Sequence, residues 1–242
     1  MKSFHPLRLA QAYFGLNPLI EPHSTPSSIL LAGGTIIAFN RSSESLEIIR
    51  NGAILLKDDK ISAIYESIPD VILPRNTEIL NTEGKIITPG FISTHNHGWL
   101  TPFKTIGSNT TLAEYLVRYG EFSPANTLFT SEDVYIGTLH GMLESLNAGV
   151  TTILEHASST FSNETSEAGL QAAIDSGMRI LYAFAFHDLG FANYTVADQM
   201  NQWKDIARSD TLTGALVSLA IAYDRFSIAP KEEVEAMIDL AL

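Results

Sequence analysis

Two histidines two residues apart, His95 and His97, lie in the stretch Pro89-Gly90-Phe91-Ile92-Ser93-Thr94-His95-Asn96-His97-Gly98. In an extended strand, residues i and i+2 project to the same side, so this spacing can aim two imidazoles at one point. Neutral imidazole nitrogens ligate divalent metals, at about 2.0–2.1 Å for zinc. The pair therefore reads as half of a metal site. On its own the triplet is a weak signal: with seven His in 242 residues, chance supplies a His-x-His about 0.2 times. Two ordinary polar histidines at a strand end would look the same. Glu155-His156 and His187-Asp188 each close a predicted strand, where substrate contact or orientation of a ligand His competes with plain solvation. There is no Cys, which excludes thiolate zinc sites, cysteine nucleophiles and disulfide frameworks. No Gly-x-Ser-x-Gly elbow supports a serine hydrolase.

The elements that must position these side chains fall into two rhythms. Residues 1–27 are expected to form an N-terminal arm; Lys2 and Arg8 give it a faint likeness to a transit peptide without a cleavage site. Residues 28–88 read as a small antiparallel β-module. Ile29–Phe39 and Ile48–Leu56 are apolar runs interrupted at Gly33-Gly34 and Asn51-Gly52, the first read as a bulge or turn and the second as a turn. Asp58-Asp59-Lys60 turns the chain into Ile61–Tyr65, and Thr77–Leu80 adds a short strand. Beyond Gly84 strands and helices alternate. Strands are expected at Lys85–Thr94, Val150–Leu154, Arg179–Phe186 and Ala215–Tyr223. Helices are expected at Thr110–Tyr119, Ser131–Asn147, Thr165–Ser176 and Val196–Arg208, with a last one from Pro230. The Ser131–Asn147 helix carries Val134, Leu139, Met142 and Leu146 near a 3.6 period and a Thr130–Asp133 start signal. Such alternation predicts parallel βαβ units, four of them.

Composition sets the outer bounds. Hydrophobic residues make up 45% and charged residues 17% of the chain, which is globular rather than disordered. Fifteen basic against 27 acidic residues give a formal charge of -12, which argues against nucleic acid as a partner. No apolar run approaches the roughly 18–20 residues of a membrane span, and the expected location is cytoplasmic.

The setting of the histidine pair resembles the amidohydrolase superfamily, in particular its cytosine-deaminase-like and triazine-hydrolase-like branch. The likeness rests on Ile86-Ile87-Thr88-Pro89-Gly90-Phe91-Ile92, then Thr94-His95 and His97-Gly98. It continues in Thr111-Leu112-Ala113-Glu114-Tyr115-Leu116, in Glu132-Asp133-Val134-Tyr135, in Asn147–His156 and in Ser176-Gly177-Met178-Arg179. It spans about residues 28–242. The resemblance implies an α/β fold: a partial (β/α)8 TIM barrel of about four units over residues 89–242, preceded by a small β-sandwich module. It also implies hydrolysis of a carbon–nitrogen bond in a cyclic or heterocyclic small molecule by a metal-activated water. Zinc or iron would be held by His95 and His97 together with a strand-five His and a strand-eight Asp. The fourth predicted strand has no Lys, which matches the mononuclear branch.

Those further ligands, and the family's proton-shuttling Glu and His, are expected beyond Leu242, so no catalytic acid or base is assigned within this chain. Removing the β-module leaves about 160 residues, below the roughly 200 of a minimal barrel. The rival expectation is a non-catalytic truncated relative or an incomplete gene product, whose unpaired strand edges lead it to form a homo-oligomer, to aggregate or to pair with a missing half. Reading the coding DNA past Leu242 separates the two. Trp99, Glu155, His156, His187 and Tyr223 are carried as candidate substrate contacts, with Phe103 and Lys104 near them in the first loop. Trp99 and Phe103 could equally pack against the β-module, and Tyr223 falls near a position where relatives carry a substrate-contacting His.

Overall fold

The computed structural model describes residues 28–120, 123, 128–190 and 193–242. The predicted N-terminal arm lies outside them. The chain divides into two compact units, Met1–Pro89 and Gly90–Leu242.

The first unit is one five-stranded sheet with the order β3-β2-β1-β4, and β5 also pairing with β1. Its strands are β1 (Ser28–Asn40), β2 (Ser45–Lys57), β3 (Lys60–Tyr65), β4 (Thr77–Asn81) and β5 (Ile86–Ile87). β1 alternates buried and half-buried positions along most of its length, as a strand with one covered face must. Leu30, Ala32, Ala53 and Leu55 form the unit's core with Ala63, Tyr65 and Leu73 against them. The sheet is mixed rather than antiparallel, because β4 and β5 both run parallel to β1. Asn51-Gly52 is not a turn either. β2 continues through it, and the β1–β2 register shifts on both sides of Gly34, which pairs with Gly52. The Gly33-Gly34 bulge is therefore matched by an irregularity opposite it. Asn51 takes φ 55°, and a Cβ on Gly52 would lie 2.8 Å from both Ile36 Cδ1 and the Tyr65 carbonyl oxygen. No side chain fits there.

The predicted strand at Lys85–Thr94 is split at Pro89-Gly90: β5 belongs to the first sheet, and β6 (Phe91–Asn96) opens the second. A proline has no N–H to give to a ladder, which ends the first pairing. The second sheet has four parallel strands in chain order: β6, β7 (Val150–Ala157), β8 (Arg179–Phe186) and β9 (Val217–Tyr223). Helices α1 (Leu112–Arg118) and α2 (Ser131–Asn147) lie between β6 and β7, α3 (Asn163–Asp175) between β7 and β8, and α4 (Val196–Arg208) between β8 and β9. α5 (Lys231–Ala241) follows β9. Four β/α units in this order fit part of a (β/α)8 barrel.

Strand alternation fixes the two faces of this sheet. Ile153, Glu155 and Ala157 of β7, and Ile180, Tyr182, Phe184 and Phe186 of β8, are all buried at 1% exposure or less. Met142, Leu170, Ala173, Val196, Ile206 and Met237 come from the helices to complete that core. The opposite face carries His156 and, in register with it, Ala183 and Ala220.

α2 starts at a capping box in which the Thr130 hydroxyl accepts from Asp133 N–H and the Asp133 carboxylate accepts from Thr130 N–H. Its buried stripe is Val134, Gly137, Thr138, Gly141 and Met142. Leu146, expected on this face, is 44% exposed. Small residues take its place because α2 presses on a 3-10 turn, Gly98–Phe103: a Cβ on Gly141 would lie 2.4 Å from Thr101 Oγ1 and 3.0 Å from the Gly98 carbonyl oxygen. That turn directly follows His97.

Candidate metal centre

β6 ends at Asn96, so His95 lies in its last turn of pleat and His97 at the start of the 3-10 turn. The two Nε2 atoms converge to 3.0 Å. Two nitrogens bound tetrahedrally to one zinc are about 3.3 Å apart, so the pair is spaced for a shared ion. The His97 tautomer follows from its surroundings. Its Nδ1 is 3.0 Å from the His156 carbonyl oxygen and 3.1 Å from Ser158 Oγ. A carbonyl only accepts, so Nδ1 carries the hydrogen and Nε2 keeps a bare lone pair directed at His95. Burial, then the neighbouring His156 and His95, lower the His97 pKa to about 4. The ring is therefore neutral at pH 7, the form a metal requires.

His156 joins them on the same face of the sheet. Its ring centroid is 4.9 Å from that of His97 and 5.4 Å from that of His95. The Asp224 carboxylate, just past β9, sits 3.1 Å from His156 Nε2. That contact makes Nε2 the protonated nitrogen. Among the described residues, His156 Nδ1 is then a buried acceptor with no hydrogen-bond partner.

Glu155, the adjacent residue in β7, points the other way. It is 1% exposed, and its two oxygens accept from Gly98 N at 2.7 Å and Asn96 Nδ2 at 2.8 Å. Burial pushes its carboxyl up to about 8, with the bonds from Gly98 and Asn96 opposing. Both oxygens are occupied on the helix-facing side, where Glu155 braces the segment beside His97.

Trp99 is enclosed as well. It is 1% exposed, stacks edge-on against Phe103, Phe129 and Phe161, and donates from Nε1 to Ser158 Oγ at 3.0 Å. No ring face is left for a ligand. Phe103 and Lys104 do line an open cavity of about 500 Å3, with His97, Tyr115 and Tyr119, and Lys104 is ion-paired to Glu144 there.

His187 is 4% exposed, just beyond β8. Thr160 donates its hydroxyl hydrogen to the Ala185 carbonyl, so toward His187 Nε2, 2.8 Å away, Thr160 Oγ1 accepts. Burial lowers the His187 pKa to about 4. Tyr223 is buried on the helix side and donates its hydroxyl hydrogen to Glu233 Oε1 at 2.8 Å. It is a strut between β9 and α5.

Sequence reasoning missed Asp224, Ser158 and Asn96. Asp224 had a usable signal, since it stands one residue beyond a strand's C-terminal end, where barrel enzymes place their sites. The other two are visible only once β6 and β7 are paired. Among the described residues, no group of three or more His, Cys, Asp or Glu side chains is placed to hold an ion. His97 fits a divalent metal in tautomer and charge, and the spacing of the pair suits a shared ion with two donors.

A model of the amidohydrolase family matches residues 86–242. The chain belongs to the amidohydrolase family. This amidohydrolase chain is similar to the 5'-deoxyadenosine deaminase of Methanosarcina mazei, at 29% identity over 134 residues that cover 54% of this chain and 29% of the relative. Its fold is similar to that of the guanine deaminase of C. acetobutylicum, solved with bound guanine in the active site (TM-score 0.66, 17% identity, 89% of this chain and 51% of that one). It is similar too to a triazine hydrolase from Arthrobacter aurescens (TM-score 0.66, 20% identity, 89% and 50%). At these identities the solved structures speak to the fold alone. The chain spans about a third or less of the length of the curated relatives it matches. Among the described residues no helix is long and apolar enough to cross a membrane.

Proposed function

We propose that this chain carries the first-strand part of a mononuclear metal centre that hydrolyses a carbon–nitrogen bond of a small nitrogen heterocycle, with His95 and His97 as ligands of zinc or iron. The observation that carries this reading is the convergence of the two Nε2 atoms at 3.0 Å, with His97 Nδ1 committed to a carbonyl. A divalent ion held there lowers the pKa of a water from 15.7 toward about 7 and so supplies a nucleophile at neutral pH.

The remaining roles belong to this chain's own side chains. His156, oriented by Asp224, presents a buried lone pair at Nδ1, which suits an N–H or amino group of a ring. His187, held neutral beside Thr160, bounds the same face without charge. The deaminase names of the curated relatives support an amino-substituted purine or related ring as the substrate class. Among the described residues β6 and β9 each pair on one side only, and assembly into a homo-oligomer through these edges is part of the same reading.

The test is a zinc chloride titration of the purified chain. The expected result is saturable binding of one ion per chain, abolished by His95→Ala and by His97→Ala. Binding indifferent to both substitutions overturns the ligand assignment.

A further inference from the structure

β7 and Ser158, the residue just beyond it, grip the segment that carries His97 at every residue from Asn96 to Trp99. Asn96 donates from Nδ2 to Glu155 Oε2. His97 donates from Nδ1 to the His156 carbonyl. Gly98 donates from N to Glu155 Oε1, and Trp99 donates from Nε1 to Ser158 Oγ. Glu155 is the only member of this set that holds both peptide neighbours of His97 at once, one on each carboxyl oxygen. It does so from the opposite face of the sheet, where it is 1% exposed and cannot meet a ligand. The space around it is closed: a Cβ on Gly98 would lie 2.9 Å from Met142 Cε and 3.3 Å from Glu155 Oε1.

We propose that Glu155 is a positioning residue: a two-pronged clamp on Asn96 and Gly98 that sets the orientation of the His97 imidazole. With both flanks fixed, His97 can meet the His156 carbonyl with Nδ1 only in one ring orientation, and Nε2 is delivered to His95. Without the clamp, the Asn96 side chain and the Gly98 N–H lose their partner, and the Nδ1 bond is made in competition with solvent. Groups that orient a ligand His typically change metal affinity ten- to a hundredfold when removed. The link to affinity rests on the metal-centre reading; the link to the ring's orientation does not.

The experiment compares Glu155→Met with Glu155→Gln in the full chain. Methionine keeps the volume in an apolar setting and removes both acceptors. Glutamine restores two bonds, since its oxygen accepts from Gly98 N–H and its amide donates to Asn96 Oδ1 once that side chain turns over. Imidazole 15N resonances in the metal-free chain report the His97 tautomer, and titration with cobalt(II) chloride reports affinity. Expected are a His97 signal averaged between tautomers and at least tenfold weaker cobalt binding in Glu155→Met, with both restored in Glu155→Gln. Val217→Ala, a remote core change, is expected to lower the melting temperature while leaving the His97 signal fixed. If Glu155→Met does not fold, Asn96→Ala removes one prong and is expected to broaden the His97 signal. A His97 signal unchanged in Glu155→Met, or in Asn96→Ala where that variant stands in, overturns the clamp. If the unsubstituted chain binds no cobalt, the metal reading falls, and the 15N signals decide the clamp separately.

Discussion

Glu155 makes a pH-dependent contribution to stability that can be isolated from every other group. Its pKa stands at about 8 in the folded chain against an ordinary 4.5, because burial penalises the charged form. The folded state therefore holds a proton that the unfolded state has released, and folding is weakened as pH rises from 4.5 toward 8. The full displacement corresponds to about 5 kcal/mol at 1.36 kcal/mol per pH unit. Histidines complicate the acid side: the pKa values of His97 and His187 are lowered from 6.5 to about 4, so their contribution runs the opposite way and is complete by pH 6.5. Between pH 6.5 and 9 the Glu155 carboxyl accounts for a loss of about 2 kcal/mol. Tyr182, beside it, stays protonated throughout, since burial and then Glu155 itself raise its pKa. Urea unfolding of the unsubstituted chain and Glu155→Gln, at half-unit steps across that window, provides the measurement. The stability difference between them should shift by about 2 kcal/mol in favour of Glu155→Gln toward pH 9. Parallel curves would refute the claim that this carboxyl is held neutral by burial.

Three other substitutions follow from the same contacts. Lowering the pH from 6.5 to 4 should cost the folded chain up to about 3 kcal/mol through His187, a loss that His187→Gln removes in acid-unfolding curves. Gly141→Ala should destabilise by roughly 1–3 kcal/mol, the usual scale of overpacking, because its Cβ meets a backbone carbonyl as well as Thr101. Trp99 fluorescence should report the displaced turn, and an unchanged melting temperature would count against the close approach of α2. Tyr223→Phe should cost about 1 kcal/mol for the lost bond to Glu233, with zinc affinity unaltered; weakened zinc binding would return Tyr223 to the site.

The β/α rhythm was legible because it is written in local periods. Continuous apolar runs such as Arg179–Phe186 and capped helices such as Ser131–Asn147 need only near neighbours, and both fall where the spacing predicts them. What failed needed distant partners. Asn51-Gly52 has the composition of a hairpin turn, yet its conformation is set by the bulge it faces across β1. The direction of β4 depends on the stretch from Glu66 to Asn76, which carries no directional signal. Trp99 looked like a pocket wall because Phe129 and Phe161, which enclose it, lie 30 and more residues away.

One failure was avoidable from the sequence. Glu155 and His156 are adjacent in a strand, so they must face opposite sides of the sheet, and treating both as substrate contacts set that aside. Alternation alone would have assigned one to the face with His95 and His97 and the other to the helix layer. Which residue took which face was not legible: in Val150-Thr151-Thr152-Ile153-Leu154 the apolar residues Val150 and Leu154 are in phase with His156 and Ile153 is in phase with Glu155, as a run buried on both faces allows. A carboxyl on the helix-facing side finds no solvent and must spend its oxygens on the backbone and side chains of the neighbouring strand. The neighbouring strand is the one that carries the histidine pair, so burial of Glu155 and order at His97 are one consequence of a single register.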